Sequence, residues 1–334
     1  MQQNNATLPP STPQPQAPAA VALQFTGTAG EYFRIWIVNL CLSVLTLGVY
    51  SAWAKVRRKR YFYGSTLLAG SAFEYLGNPV AILKGRILVV AVFAIYSLSQ
   101  HFVPLVSVAM LLVMLVFMPW VIQRALQFNA RNSTHRNVRF AFHGSKMDIF
   151  GVLLIGGLLV PITLGMAYPF YLSMKRRIFV DNSAYGDRRF NFTASTGDYY
   201  VAALKVFLAF LGFIVGSIVT FGIGLLPFYL LVRAYSEATF ARLAWRNTHL
   251  GGIRFECSWG AGGLLWLYVV NSLAIVVSFG LLIPWAAIRT ARYKLERISL
   301  HAEQGLSGIL AAAQENVGAV GDEAGELLGF DFGL

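Results

Sequence analysis

Apolar residues run along this chain in blocks too long and unbroken for a water-soluble fold. Ile149 to Met174 is 26 residues without a charge, and Leu88 to Ile122 is 35. About 20 apolar residues cross a bilayer, so the first block predicts one span with room to bend and the second most of a hairpin. Between the blocks lie short alternating stretches (Leu23-Gln24-Phe25, Phe140-Ala141-Phe142, Phe190-Asn191-Phe192) that predict strands. Basic segments of helical character separate them. The pattern predicts an all-α integral membrane protein. It would be a polytopic bundle of six or seven apolar segments, with about five internal repeats, interfacial basic helices and short strands.

The repeat is read from fixed spacings. An aromatic stands six residues before an acid at Phe25 and Glu31, at Phe142 and Asp148, and at Phe192 and Asp198. Fifteen residues after the first two acids comes Thr-Leu-Gly, at 46–48 and 163–165; after Asp198 the gap to Thr220-Phe221-Gly222 is 22. The seven extra residues are about two helical turns, which preserves facing. Asn39 precedes Gly48 by nine residues, as Asn271 precedes Gly280. A small polar pair (Ser65-Thr66, Asn132-Ser133, Asn182-Ser183, Asn247-Thr248) precedes each following strand. Units are expected near 23–74, 75–141, 142–191, 192–256 and 257–300. They follow a Pro/Gln-rich tail over 1–22, expected to be disordered and uncleaved, and precede an acidic tail over 301–334.

Charge sharpens the membrane reading. The chain has 27 Lys and Arg against 15 Asp and Glu, yet only 13% charged residues and 56% hydrophobic ones, where soluble domains carry roughly 25% charged. Six of the acids lie in 301–334, which holds no Lys or Arg, so the bases crowd residues 1–300. They sit in linkers after the apolar blocks: Lys55, Arg57, Arg58, Lys59 and Arg60, then Lys175, Arg176 and Arg177. Mixed with Tyr, Phe and Leu, such bases suit helices lying on anionic headgroups. The expected partner is therefore the lipid bilayer, with a homo-oligomer or membrane partner also open, and not nucleic acid. If every basic linker is cytoplasmic, the first and third units, with one span-length run each, must turn back within the bilayer.

Candidate chemistry is sparse. Asn39 and Asn271 fall within apolar helices, where a polar side chain bonds another helix or lines a solute path. Lys205 sits at a span edge and is expected to snorkel or pair with Asp198. Glu31, Asp148 and Asp198 read as helix-start acids, with a cation-binding ring as the sharper alternative. Glu237 and Glu296 are expected to make local pairs. Cys41 and Cys257 suggest neither disulfide nor zinc box and read as small buried side chains. The five histidines have no metal-ligand spacing. No catalytic residues, cofactor site or metal site is expected, and the chain does not read as an enzyme.

The string TLGVYSAWAKVRRKRYFYGST at 46–66, with GEYFRIWIVNL at 30–40, resembles the YjgN-like family of bacterial inner-membrane proteins. Strings at 163–192 and 278–294 and the terminal FDFGL are similar to the same pattern, so the resemblance covers roughly residues 23–334. It implies a multi-pass helical protein of the bacterial inner membrane and brings no activity or site residue. The functional expectation is a membrane scaffold, envelope or lipid-associated role. The alternative is a small-solute or ion transporter using the intramembrane polar residues.

Overall fold

The computed structural model describes residues 20–102, 104–221 and 225–302. Of the tails expected over 1–22 and 301–334, residues 1–19 and 303–334 lie outside the described residues, while Ala20–Ala22 and His301–Ala302 stand in strands.

Five times the chain runs strand, helix, helix, strand. The first passage comprises β1 (Ala20–Ala22), β2 (Gln24–Phe25), α1 (Ala29–Leu45), α2 (Ser51–Gly64) and β3 (Thr66–Leu68). The second holds β4 (Ser71–Tyr75), α3 (Pro79–Phe102), α4 (Pro104–Arg131) and β5 (Ser133–His135). The third holds β6 (Val138–Phe142), α5 (Lys146–Leu154), a π-helical turn (Ile155–Leu159), α6 (Val160–Ile162), α7 (Tyr168–Asp181) and β7 (Ser183–Tyr185). The fourth holds β8 (Arg188–Phe192), α8 (Thr196–Val219), α9 (Leu225–Arg246) and β9 (Thr248–Leu250). The fifth holds β10 (Ile253–Cys257), α10 (Ala261–Val277), α11 (Ile283–Leu295) and β11 (Ile298–Ala302).

The strands overturn the all-α expectation. They form one antiparallel sheet of eleven strands in the order β1-β11-β10-β9-β8-β7-β6-β5-β4-β3-β2. Its two ends are consecutive in the chain. β1 pairs with β11 and β2 with β3, while the amide of Leu23 between them donates to the Ile298 carbonyl at 3.1 Å. The sheet therefore closes on itself as a small barrel, which removes the free edges that an open sheet would expose. The polytopic count also falls: among the described residues, three helices are long and apolar enough to cross a membrane, Pro79–Gln100, Val108–Arg131 and Thr196–Val219. The polar pairs that seemed to precede strands instead begin strands themselves, at Thr66, Ser133, Ser183 and Thr248.

Alternation along each longer strand decides the barrel's inside. Phe73, Phe140, Phe190 and Phe255 turn inward and pack on buried Leu68, Val138, Tyr185, Leu250, Ile253 and Leu300. Between them Glu74, Arg139, Arg189, Arg254 and Glu256 are exposed, apart from partly covered neighbours. Buried side chains close the lumen near the turns.

Register fixes the direction of the helices. Strand pairs meet at the helix ends as Phe25–Thr66, Tyr75–Ser133, Phe142–Ser183, Phe192–Thr248 and Cys257–Ile298. They meet at the tight turns as Leu68–Ser71, His135–Val138, Tyr185–Arg188 and Ile253–Leu250. All five helix pairs thus leave from, and return to, one rim of the barrel, while the turns occupy the other. Neighbouring helices pack around this rim, and α11 packs on α1 to complete the circle.

The six-residue spacing from aromatic to acid has a physical cause. The aromatic ends its strand and folds its ring over the residue two positions on. A Cβ on Gly27 would lie 2.7 Å from the Phe25 ring, and one on Gly144 2.5 Å from the Phe142 ring. The next residue caps the helix, and the acid sits at its third position: Ser145 with Asp148 and Ser195 with Asp198 form reciprocal capping boxes.

The far ends of the helix pairs in the first, third and fifth passages share a turn. In the first, the Thr46 hydroxyl donates to the Leu42 carbonyl and accepts from the Tyr50 amide, at 2.7 and 2.9 Å. The Gly48 amide reaches back to the Ser43 carbonyl at 2.7 Å, and Gly48 takes φ +90°. Thr163 with Gly165, and Ser278 with Gly280, repeat the arrangement. The residue before the glycine is left-handed although it carries a bulky side chain: Leu47, Leu164, Phe221 and Phe279 have φ of 50, 51, 50 and 50°.

Candidate functional site

The groups with chemical potential gather where the return helices α2, α4, α7, α9 and α11 meet the barrel's helix-side rim. Two cavities open there. The larger, about 550 Å³, is walled by barrel residues Leu23, Phe73 and Phe140 and by Phe62, Tyr63, Asn129, Ala130 and Leu295 of the return helices. Its lining is mostly apolar. Lys59 donates to the Asn129 side-chain oxygen Oδ1 at 2.6 Å, and its ammonium lies 4.5 Å from the centre of the Tyr75 ring. Burial lowers the Lys59 pKa, and the neighbouring charges of Lys55 and Arg58 push it the same way.

The second cavity, about 420 Å³, lies between α7 and α9 and is lined by Lys175, Arg176, Tyr199, Glu237, Phe240 and Trp259 among others. Glu237 bonds both the Lys294 ammonium and the Tyr268 hydroxyl. Arg233 stacks on Tyr268 and Lys294 on Trp259, whose indole N–H donates to the Lys294 carbonyl at 2.9 Å. Burial works to raise the Glu237 carboxyl, but Lys294, Tyr268 and Arg233 together hold it below its ordinary range. The expected local pairing of Glu237 is replaced by one between helices; Glu296 does pair locally, with Arg292 at 3.9 Å.

Asn271 is buried and joins α10 to α11. Its amide donates to the Thr290 hydroxyl at 3.0 Å, and its oxygen accepts from Arg289 at 3.3 Å. Asn39 is buried on α1, and its side-chain oxygen has no hydrogen-bond partner among the described residues. Lys205 is exposed on α8, while Asp198 is tied to Ser195 at the helix start. Glu31 accepts from the Tyr61 hydroxyl at 3.1 Å, and Asp148 from the Ser145 amide at 2.9 Å. These acids sit at separate helix starts around the rim. Among the described residues, no three His, Cys, Asp or Glu side chains converge. Of the two cysteines, Cys257 is buried as expected, but Cys41 is exposed.

The basic residues divide by role. Lys55 is half-buried, and Arg57, Arg58, Lys175 and Arg176 are exposed. Arg60 and Arg177 also hold carbonyls in the next passage: Arg60 donates to Tyr75 at 3.3 Å and Arg177 to Ala194 at 2.9 Å. Arg292 does the same for Gly27 at 3.0 Å, joining the fifth passage to the first across 265 residues of sequence. The sequence reading missed this clasp. Its signal is an arginine six positions before a strand, at 60, 177 and 292.

The profile of a family described as bacterial proteins of unknown function, DUF898, matches residues 20–327. The chain is 24% identical to the inner membrane protein YjgN of Salmonella typhimurium, over 80% of this chain and 85% of that protein. It is 30% and 31% identical to the proteins of the same name from Escherichia coli O157:H7 and K12, over 45% of this chain and 38% of theirs. No solved structure matches.

Proposed function

The chain belongs to the DUF898 family of bacterial proteins, and from that premise we propose that it is a non-catalytic, lipid-associated protein of the inner membrane. In this reading the barrel stands at the cytoplasmic face, and its five helix pairs dip into the bilayer as a ring of inserted hairpins. The passages are taken as copies of one unit.

The observation that carries the reading is the single rim from which every helix pair leaves and to which it returns. Every basic return helix then lies on one side, as the positive-inside rule asks. The hairpin tips support it. Leu47, Leu164, Phe221 and Phe279 are 96, 95, 95 and 97% exposed. Holding such a residue left-handed costs roughly 1–2 kcal/mol, and burying its side chain in an apolar medium returns about 1.5–3 kcal/mol. Water gives no such return; lipid does.

Depth differs among the hairpins. Leu47 is eight residues from Lys55, about 12 Å along a helix, which reaches into one leaflet only. The α3–α4 pair and α8 are long enough to go deeper. Closure of the lumen near the turns leaves a conducted solute no axial route, which favours a lipid role over transport. Among the described residues, the unpartnered oxygens of buried Asn39 on α1 and Ser217 on α8 favour the transport alternative.

Flotation of the purified chain with vesicles tests the proposal. Phosphatidylglycerol vesicles are expected to carry it at least tenfold better than phosphatidylcholine vesicles in low salt. Replacing Arg57, Arg58, Lys175 and Arg176 by Gln should erase most of that preference. Equal flotation on both lipids before and after substitution would contradict it.

A further inference from the structure

The larger cavity combines features that neither a packed core nor a surface groove would share. Leu23, Phe73 and Phe140 close it from the barrel side, and Phe62, Ala130 and Leu295 from the return helices. At about 550 Å³ it falls within the span of small-ligand sites, roughly 300–1,000 Å³. A polar edge bounds it on one side, where Asn129 and Tyr63 face the space and Lys59 stands behind Asn129.

Lys59 is half-buried, and among the described residues no carboxylate pairs with it. The charges that act on it are the like charges of Lys55 and Arg58. Its contacts are the amide oxygen of Asn129 and the face of Tyr75. A partly desolvated cation satisfied only by neutral groups is a place where an incoming anion gains more than it would in water.

We propose that this cavity binds an anionic amphiphile, with one alkyl chain lodged between the barrel aromatics and the return helices and the head group taken by Lys59. The site rests on the lipid-associated reading above and narrows it from a surface contact to one bound molecule. A free fatty acid and one chain of a membrane phospholipid share the required chemistry.

The test uses the full chain in phosphatidylcholine nanodiscs, with empty discs subtracted, and dodecanoate and dodecanol as probes. Wild type is expected to bind one dodecanoate per chain, and dodecanol at least tenfold more weakly. Ala130→Phe, which fills the cavity, should abolish both. Lys59→Gln should weaken dodecanoate roughly 10- to 100-fold, the loss of a charge-assisted hydrogen bond, and leave dodecanol unchanged. Both variants should still float on phosphatidylglycerol vesicles, because Arg57, Arg58, Lys175 and Arg176 remain. Displacement of dodecanoate by phosphatidylglycerol in the disc would identify bilayer lipid as the source, and its persistence a free amphiphile. Wild type that floats but binds no dodecanoate, or binding that ignores Lys59→Gln, overturns the cavity site and spares the lipid reading. Wild type that does not prefer anionic vesicles fails that reading itself.

Discussion

At the scale of single residues, the barrel is pinned by a polar side chain placed inside it. His135 is buried against Phe73, with Nε2 3.3 Å from the Leu68 carbonyl and Nδ1 3.4 Å from the Tyr185 hydroxyl. Tyr185 in turn donates to the His135 carbonyl at 3.0 Å, and burial pushes its own pKa up to about 12. Burial lowers the His135 pKa, a bond to Leu68 resists, and Arg136 lowers it further. The unfolded chain therefore takes up the proton first. The contribution of His135 is complete above an unfolded pKa of roughly 6.5 and drains away as pH falls toward the folded value. Thermal unfolding at pH 7.5 and 5.5 should show a larger acid-induced drop in Tm for wild type than for His135→Gln. Equal drops would mean that His135 does not titrate between the two states. Nothing in the sequence marks His135 for this role, because its partners Leu68 and Tyr185 lie 67 and 50 residues away.

At the scale of elements, legibility depended on length and on local chemistry. The aromatic-to-acid spacing was readable because strand end, cap and first helical turn are contiguous. The strands Thr66–Leu68, Ser133–His135, Ser183–Tyr185 and Thr248–Leu250 were not, since three residues carry no periodicity and pairing with other passages holds them. Without them the chain reads as helices joined by basic linkers, which is why an all-α bundle was expected. The turns at Thr-Leu-Gly were visible as breaks, but the outward display of the middle residue needed the backbone. That display yields a prediction. Moving from Leu to Asp at hydrocarbon depth costs roughly 3–4 kcal/mol on the insertion scale. Leu47→Asp and Leu164→Asp should therefore release their hairpins from the bilayer, and an environment-sensitive dye at residue 49 or 166 should shift toward the signal of water. Because both tips are already exposed, the Tm of the barrel in detergent should stay within about 2 °C of wild type. A dye signal unmoved by either change would place the tips outside the membrane.

At the scale of the whole molecule, closure is the organising fact. The first strand bends at Leu23 to serve both ends of the sheet, α11 packs on α1, and Arg292 clasps Gly27. The β1–β11 pairing, the α11–α1 packing and the Arg292–Gly27 bond join the fifth passage to the first. The cavity is a product of the same closure, since its walls come from the first, second, third and fifth passages. A linear reading cannot assemble it, and the Lys59–Asn129 contact spans 70 residues.

Single-cysteine labelling tests the one-rim topology most directly. With Cys41 and Cys257 replaced by Ser and Ala, single cysteines at Arg58, Arg131, Arg176, Arg242 and Arg297 would be treated in intact cells with a membrane-impermeant thiol reagent. All five are exposed, so the readout is the side of the membrane and not burial. Protection of all five until the membrane is opened is the expected result and places every return helix on the cytoplasmic side. Labelling that alternates from one linker to the next would mean that the helix pairs do not return to one rim, and would contradict the account.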